Sequence, residues 1–191
     1  MSRLRRAYVY PRIFKLRFPR IEIADWADRY SYTGDDQSLE KLGAAARDRG
    51  YLRPTEFLAL CRWKTARTVK QCSSNSAQQV QDATQLAFST GDDRAKIGIL
   101  RLLAGVDWAT ASVVLHFCDR QPYPILDFRA LWSLGSKQPS SYTFDFWWAY
   151  TTFIRQLAGS TGHSMRTVDR ALWQYSKEHQ PARRRGVGSR G

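Results

Sequence analysis

Apolar residues along most of this chain recur at the three- and four-residue spacing typical of α-helices. Asp36 or Ser38 can cap the start of one helix and Thr55 the start of the next, because their side-chain oxygens accept hydrogen bonds from free backbone N–H groups. Runs that alternate between apolar and polar residues, as strands do, are short and scarce. Helices are predicted over residues 21–32, 36–46, 55–61, 80–88, 94–103, 110–117, 128–134, 144–157 and 165–175. The pattern therefore predicts an all-α fold.

Polar and glycine-containing breaks separate these segments, as at 73–76 and 135–141. A chain of 191 residues has room for one ordinary domain. We expect the helical domain to span residues 21–178, after a basic N-terminal extension over 1–20 and before a disordered basic tail over 179–191.

The net charge of +13 is concentrated at the two ends of the chain. Residues 1–20 carry seven basic side chains and residues 181–191 carry four, with no acidic residue in either segment. These ends suit a polyanionic partner, because each Lys or Arg that meets a phosphate releases counterions. An anionic membrane is a poorer match, since Pro11 and Pro19 interrupt any amphipathic helix in the first segment. Increased solubility is the alternative explanation.

Several classes of protein are excluded by what the sequence lacks. The three cysteines and three histidines have neither CxxC nor HExxH spacing, which argues against a disulfide framework, an iron–sulfur cluster or a zinc site. No apolar run approaches the roughly 20 residues of a membrane helix, and residues 1–20 lack the apolar stretch of a signal peptide. We therefore expect a protein of the reducing cytoplasm, without a metal and without a membrane partner.

The tract 99–115 indicates two apolar helices joined by a turn at Gly105 and Val106. Glycine relieves the Cβ clash of a tight backbone there, and the second helix is expected to begin near Trp108 or Ala109. The free N–H groups at that helix start can hold a phosphate without reading sequence. Most such turns are only connectors, so the turn alone does not identify a function.

Asp127 is a lone carboxylate among the apolar residues Ile125, Leu126 and Phe128, at the start of a predicted helix. Its plain structural role is that of an N-cap, worth about 1 kcal/mol. A carboxylate with an apolar flank also suits catalysis, because the low local polarity limits screening of its charge.

Together, the hairpin and the aspartate resemble the helix-hairpin-helix DNA glycosylase superfamily. Its motif has the form L-x-G-V/I-G-x-x-T-A, followed after about twenty residues by a catalytic aspartate in a V-D-T/V-x-x-x-R segment. The hairpin matches at Leu103, Gly105, Val106, Thr110 and Ala111. Asp127 falls at the position of the aspartate. The resemblance covers residues 94–135, extends plausibly back to Phe57 and includes neither tail.

The resemblance implies a monofunctional glycosylase that flips a nucleotide out of the helix and hydrolyses its N-glycosidic bond, leaving an abasic site. Asp127 would stabilise the oxocarbenium-like sugar and orient or deprotonate the attacking water. Ala109 stands where strand-cleaving relatives carry a catalytic lysine, so no lyase activity is expected. Asp107 replaces the second hairpin glycine, where it can cap the helix but brings a negative charge near the phosphate. No redox cofactor is implied, although a monovalent cation at the hairpin is compatible with the resemblance.

In the same superfamily, the segment corresponding to residues 60–70 supplies the side chain that fills the gap left by the flipped base. Trp63 is the candidate wedge or base-stacking group, and the basic residues around it are candidate phosphate contacts. The expected DNA-binding residues are Arg62, Trp63, Lys64, Arg67, Gly105, Val106, Trp108, Thr110 and Arg129. The alternative is an amphipathic helix with Trp63 in the core and solvated charges. The aromatic run 142–150 is expected to be core.

The superfamily leaves the target base open. Many members repair oxidised, alkylated or mismatched bases, and a similar small bacterial glycosylase removes glucosylated hydroxymethylcytosine from phage DNA in antiviral defence. We weigh these nearly equally, with a preference for a modified base, because the aromatic content suits a roomy pocket. The rival hypothesis is a non-catalytic protein that uses the hairpin as a phosphate clamp. In either case we expect a monomer bound to double-stranded DNA.

Overall fold

The computed structural model describes residues 13–32 and 34–181, and within them every regular element is helical. The α-helices are α1 (Ile23–Asp28), α2 (Asp36–Arg49), α3 (Pro54–Lys64), α4 (Val69–Cys72), α5 (Ala77–Ser89), α6 (Asp93–Leu100), α7 (Trp108–Cys118), α8 (Phe128–Ser133), α9 (Phe144–Thr161) and α10 (Met165–His179). Two 3₁₀ turns, Arg20–Glu22 and Ala66–Thr68, complete the set. The all-α prediction is confirmed. None of these helices is both long and apolar enough to cross a bilayer.

Capping groups start the helices, although not always at the predicted residue. Asp35 caps α2, because its Oδ1 accepts a hydrogen bond from the Ser38 N–H at 3.0 Å, so the expectation of Asp36 or Ser38 is corrected by one residue. The third helix begins at Pro54 instead of Thr55, since the fixed φ of proline suits the first helical position.

The core is organised around two helices. α7 is buried along most of its length and packs against α2, α3 and α6, while α10 packs against α1, α8 and α9. The segment that connects α7 to α8 carries Asp127, and the end of α3 approaches it. The largest fully buried side chains include Trp147 and Tyr150 of the aromatic run, as expected for core packing.

Part of the predicted N-terminal extension belongs to the folded body. Phe14 and Phe18 are buried in the core, and the N–H of Lys15 donates to the Leu134 carbonyl at 2.8 Å. At the other end, α10 continues to His179, one residue beyond the predicted boundary. The predicted disorder of the basic tail concerns residues that lie almost entirely outside the described part of the chain.

Candidate active site

Asp127 is the N-cap of α8, and its two carboxylate oxygens have different partners. Oδ1 accepts a hydrogen bond from the Arg129 N–H at 2.7 Å, which is the capping role expected of this residue. Oδ2 accepts a hydrogen bond from the Lys64 ammonium at 2.9 Å. The cap therefore fixes the orientation of the carboxylate while its second oxygen remains on the side of Lys64.

Lys64 is the last residue of α3, and its side chain turns inward. Its Nζ also donates to the Leu126 carbonyl at 3.2 Å, and only 12% of the side chain is exposed. We expected Lys64 to contact a DNA phosphate at the surface. The structure instead places its charge beside Asp127, because a buried carboxylate requires a nearby cation.

The surroundings of Asp127 keep it ionised. Burial alone would raise the pKa of this carboxyl group, since it disfavours the charged form. The charge of Lys64 and the hydrogen bonds from Lys64 and the Arg129 N–H outweigh burial and lower the pKa below its usual value. Asp127 is therefore a carboxylate at neutral pH, as stabilisation of a cationic sugar requires.

A small cavity of about 60 Å³ opens beside these two residues. It is lined by Tyr30, Tyr32, Trp63, Lys64, Ile125, Asp127, Ala130, Asp169 and Trp173, and we call it the Asp127 pocket. This space holds only a few water molecules, so a nucleobase can enter it only if side chains of the pocket move. The Asp127 pocket is therefore not the roomy pocket expected from the aromatic content, because its rings pack edge-on against one another, as Tyr32 does against Trp63 and Trp173 at 5.2 and 5.5 Å.

Trp63 forms a wall of the Asp127 pocket. Its ring packs edge-on against Phe117 at 5.4 Å, and its Nε1 donates to Oδ1 of Asp36 at 3.1 Å. Of the two roles considered for it, this position suits stacking on a base in the pocket better than insertion into the DNA duplex, which needs a protruding side chain.

The other basic candidates lie around the pocket. Arg62 and Arg67 are exposed near the end of α3, where they are available for phosphates. The guanidinium of Arg129 lies over the rings of Phe128 and Trp173, at 5.2 and 5.4 Å from their centroids. Arg129 is thus held next to a pocket residue by cation–π contacts.

The α6–α7 hairpin has the predicted turn. Gly105 adopts a φ of +77°, and a Cβ at this position would lie 2.8 Å from the backbone N and the Sγ of Cys72. Asp107 caps α7 by accepting a hydrogen bond from the Thr110 N–H at 2.9 Å, which confirms the predicted cap. Its carboxylate therefore takes one of the N–H groups that a phosphate would use.

The hairpin side chains that were predicted to contact DNA face inward, whereas those of Leu102 and Asp107 are exposed. Val106, Trp108 and Thr110 are buried, and Trp108 lies between Trp147 and the Arg101 guanidinium. Direct side-chain contact of these residues with DNA would require the hairpin to open. The backbone of the turn is the part of this motif that can face a phosphate.

Among the aromatic and charged residues of the Asp127 pocket, sequence reasoning missed Tyr30, Tyr32, Asp169 and Trp173. Asp169 and Trp173 are four residues apart on α10 and thus share a helix face. The available signal was Asp169 itself, an acidic residue on the apolar side of the predicted helix 165–175. Nothing in the sequence, however, brings α10 near Asp127.

No protein-family model, curated protein or solved structure matches this chain. The resemblance to the glycosylase superfamily therefore rests on the hairpin motif and on Asp127.

Proposed function

We propose that this protein is a monofunctional DNA glycosylase with a helix-hairpin-helix glycosylase-like fold. The observation that carries the proposal is the position of Asp127. This partly buried, ionised carboxylate, oriented by a helix cap, borders a pocket with four aromatic walls. An ionised carboxylate next to aromatic stacking surfaces is the arrangement that hydrolysis of an N-glycosidic bond needs.

In the proposed reaction, a nucleotide leaves the DNA stack and its base enters the Asp127 pocket. The aromatic side chains replace the stacking energy that the base loses. As the bond to the base breaks, Asp127 stabilises the positive charge on the sugar and orients or deprotonates the attacking water. Because its Oδ1 is held by the Arg129 N–H, the carboxylate does not need to reorient during the reaction.

The DNA would be held by charge outside the pocket. Arg62 and Arg67 are exposed beside it, and the turn at Gly105 offers backbone contacts to a phosphate. The capping carboxylate of Asp107 weakens such a contact by electrostatic repulsion. The basic chain ends add affinity that does not depend on sequence.

Repair and antiviral defence differ in the size of the base that must be accommodated. A base of either kind must displace side chains from the 60 Å³ pocket, and a glucosylated base must displace more of them. A damaged or modified base without an attached sugar therefore needs a smaller rearrangement of the pocket than glucosylated hydroxymethylcytosine does.

Non-catalytic DNA binding is the second candidate, favoured by the fact that Asp127 serves as a helix cap. One experiment separates the two. Purified protein is incubated with duplexes that carry different modified bases, and released bases are identified by mass spectrometry. Release that depends on Asp127 supports the glycosylase, whereas DNA binding without release of any base supports the clamp.

A further inference from the structure

The Asp127 pocket contains a second carboxylate, Asp169, which is buried. Only 8% of its side chain is exposed, and its Oδ2 accepts a hydrogen bond from Nη1 of Arg166. Its Oδ1 accepts no hydrogen bond from the described residues. A buried carboxylate in a pocket thus has one oxygen that a ligand in the pocket can use as an acceptor.

The ion pair with Arg166 does not by itself account for Asp169. Arg166 also pairs with Asp36, which does not line the pocket, so the guanidinium has a carboxylate partner of its own without Asp169. Arg166 further donates to the Tyr30 hydroxyl at 3.1 Å, which leaves the hydroxyl proton of Tyr30 free for another acceptor. The Asp169 carboxylate and the Tyr30 hydroxyl are therefore polar groups of the pocket that are not needed to balance the charge of Arg166.

Asp169 also lies beside an aromatic surface. Trp173 follows it by one helical turn on α10, and both line the pocket together with Tyr30. An aromatic face next to a carboxylate matches a flat ligand that carries N–H donors on its edge. Burial raises the pKa of Asp169 to about 6, although Arg166 opposes this effect. Above that pH most molecules carry the ionised carboxylate, which only accepts hydrogen bonds.

We propose that Asp169 reads the Watson–Crick edge of the flipped base and selects bases with an exocyclic amine. The substrate class is then a derivative of cytosine, adenine or guanine. Uracil and thymine derivatives are rejected, because two carbonyl oxygens flank their single N–H and would face the carboxylate. This inference rests on the proposed function, since it requires a flipped base in the pocket.

The test compares 5-hydroxymethylcytosine with 5-hydroxymethyluracil, which differ only in the amine or carbonyl at the 4 position and in the hydrogen that uracil carries on N3. Each is placed in the same duplex opposite an abasic analogue, so that flipping breaks no base pair. We expect the full-length protein at pH 8 to bind the amine duplex about ten- to a hundredfold more tightly, as a hydrogen bond to a charged group implies. Asp169→Asn should bring the ratio close to one, because the amide can both donate and accept.

Asp119→Asn is the matched control. Asp119 is also a buried carboxylate in an ion pair, with Lys96, but it does not line the Asp127 pocket, so its substitution should leave the ratio unchanged. A wild-type ratio of one overturns the inference, and this result does not require any variant to fold. A ratio that persists in folded Asp169→Asn, or one that falls equally in folded Asp119→Asn, also overturns it.

The release of bases is followed in the same samples to separate this inference from the proposed function. Preferential binding without release of any base contradicts the glycosylase and leaves the role of Asp169 intact. Release of both bases at equal rates and equal affinity supports the glycosylase and overturns the role of Asp169.

Discussion

The Lys64 ammonium and Asp127 Oδ2 lie 2.9 Å apart and join the end of α3 to the start of α8. The two residues are 63 positions apart in sequence, and 12% and 20% of their side chains are exposed. The pair compensates the burial of both charges, and it also determines the ionisation of the proposed catalytic group. Several expected properties of the protein depend on this ion pair.

Asp127→Asn should abolish base release and leave DNA affinity nearly unchanged. The amide keeps the shape and the cap but loses the charge that stabilises the sugar, so we expect the single-turnover rate to fall about a hundredfold or more. The variant leaves Lys64 without its carboxylate, and its free energy of unfolding should fall by about 1–3 kcal/mol. Mass spectrometry of released bases and denaturant unfolding measure the two effects.

Asp92→Asn is the matched control for that substitution. Asp92 caps α6 through the Ala95 N–H at 2.8 Å and does not line the Asp127 pocket. It loses the same charge at a helix N-cap, so base release should continue at the wild-type rate. Wild-type release by Asp127→Asn would mean that Asp127 is only a cap.

The product should be an abasic site in an intact strand. Ala109 offers no amine at the hairpin, and the Lys64 amine is engaged by Asp127 and the Leu126 carbonyl. We expect strand breakage only after alkali or heat, and no covalent adduct with DNA after treatment with borohydride. An adduct would contradict this expectation.

If an adduct forms, Lys64→Arg identifies its source, because arginine keeps the charge and cannot form a Schiff base. Lys96→Arg is the matched control. Lys96 is also buried in an ion pair, but its partner is Asp119, and neither residue lines the Asp127 pocket. Loss of the adduct in the Lys64 variant alone would assign the amine.

The sequence predicted the parts of this molecule that are close together along the chain. The α6–α7 hairpin, the cap by Asp107 and the position of Asp127 before a helix all follow from local spacing and from the chemistry of capping groups. The inward direction of Lys64 and the approach of Asp169 depend on how α3 and α10 pack against the rest. Such long-range packing is decided by the tertiary structure, and one sequence contains no signal for it.

Lys64→Met should shift the acid side of the pH profile for base release to higher pH. Burial raises the pKa of Asp127 and Lys64 lowers it, so removal of Lys64 should raise that pKa above its wild-type value. Activity requires the ionised carboxylate of Asp127. As the solution is acidified, the variant should therefore lose activity at a higher pH than the wild type does. Single-turnover release measured across the acid range reports the shift, and an unchanged acid limb would contradict this role of Lys64.

Arg62→Met is the matched control for Lys64→Met. Arg62 is exposed and lies two residues earlier on the same helix. Its removal should weaken DNA binding without moving the pH profile, because water screens its charge from Asp127. A similar shift in both variants would indicate a general loss of positive charge rather than a specific effect of Lys64.

Deletion of residues 181–191 should separate affinity from chemistry. The segment carries four arginines, and it begins after α10, so the deletion spares Asp169 and Trp173. We expect binding to all DNA sequences to weaken alike. The slope of the logarithm of the binding constant against the logarithm of the salt concentration should become shallower by about 0.9 for each phosphate that the tail no longer neutralises. Single-turnover release at saturating protein should barely change, since no group of the pocket is removed. Loss of turnover at saturation would instead mean that the tail orders against the Asp127 pocket.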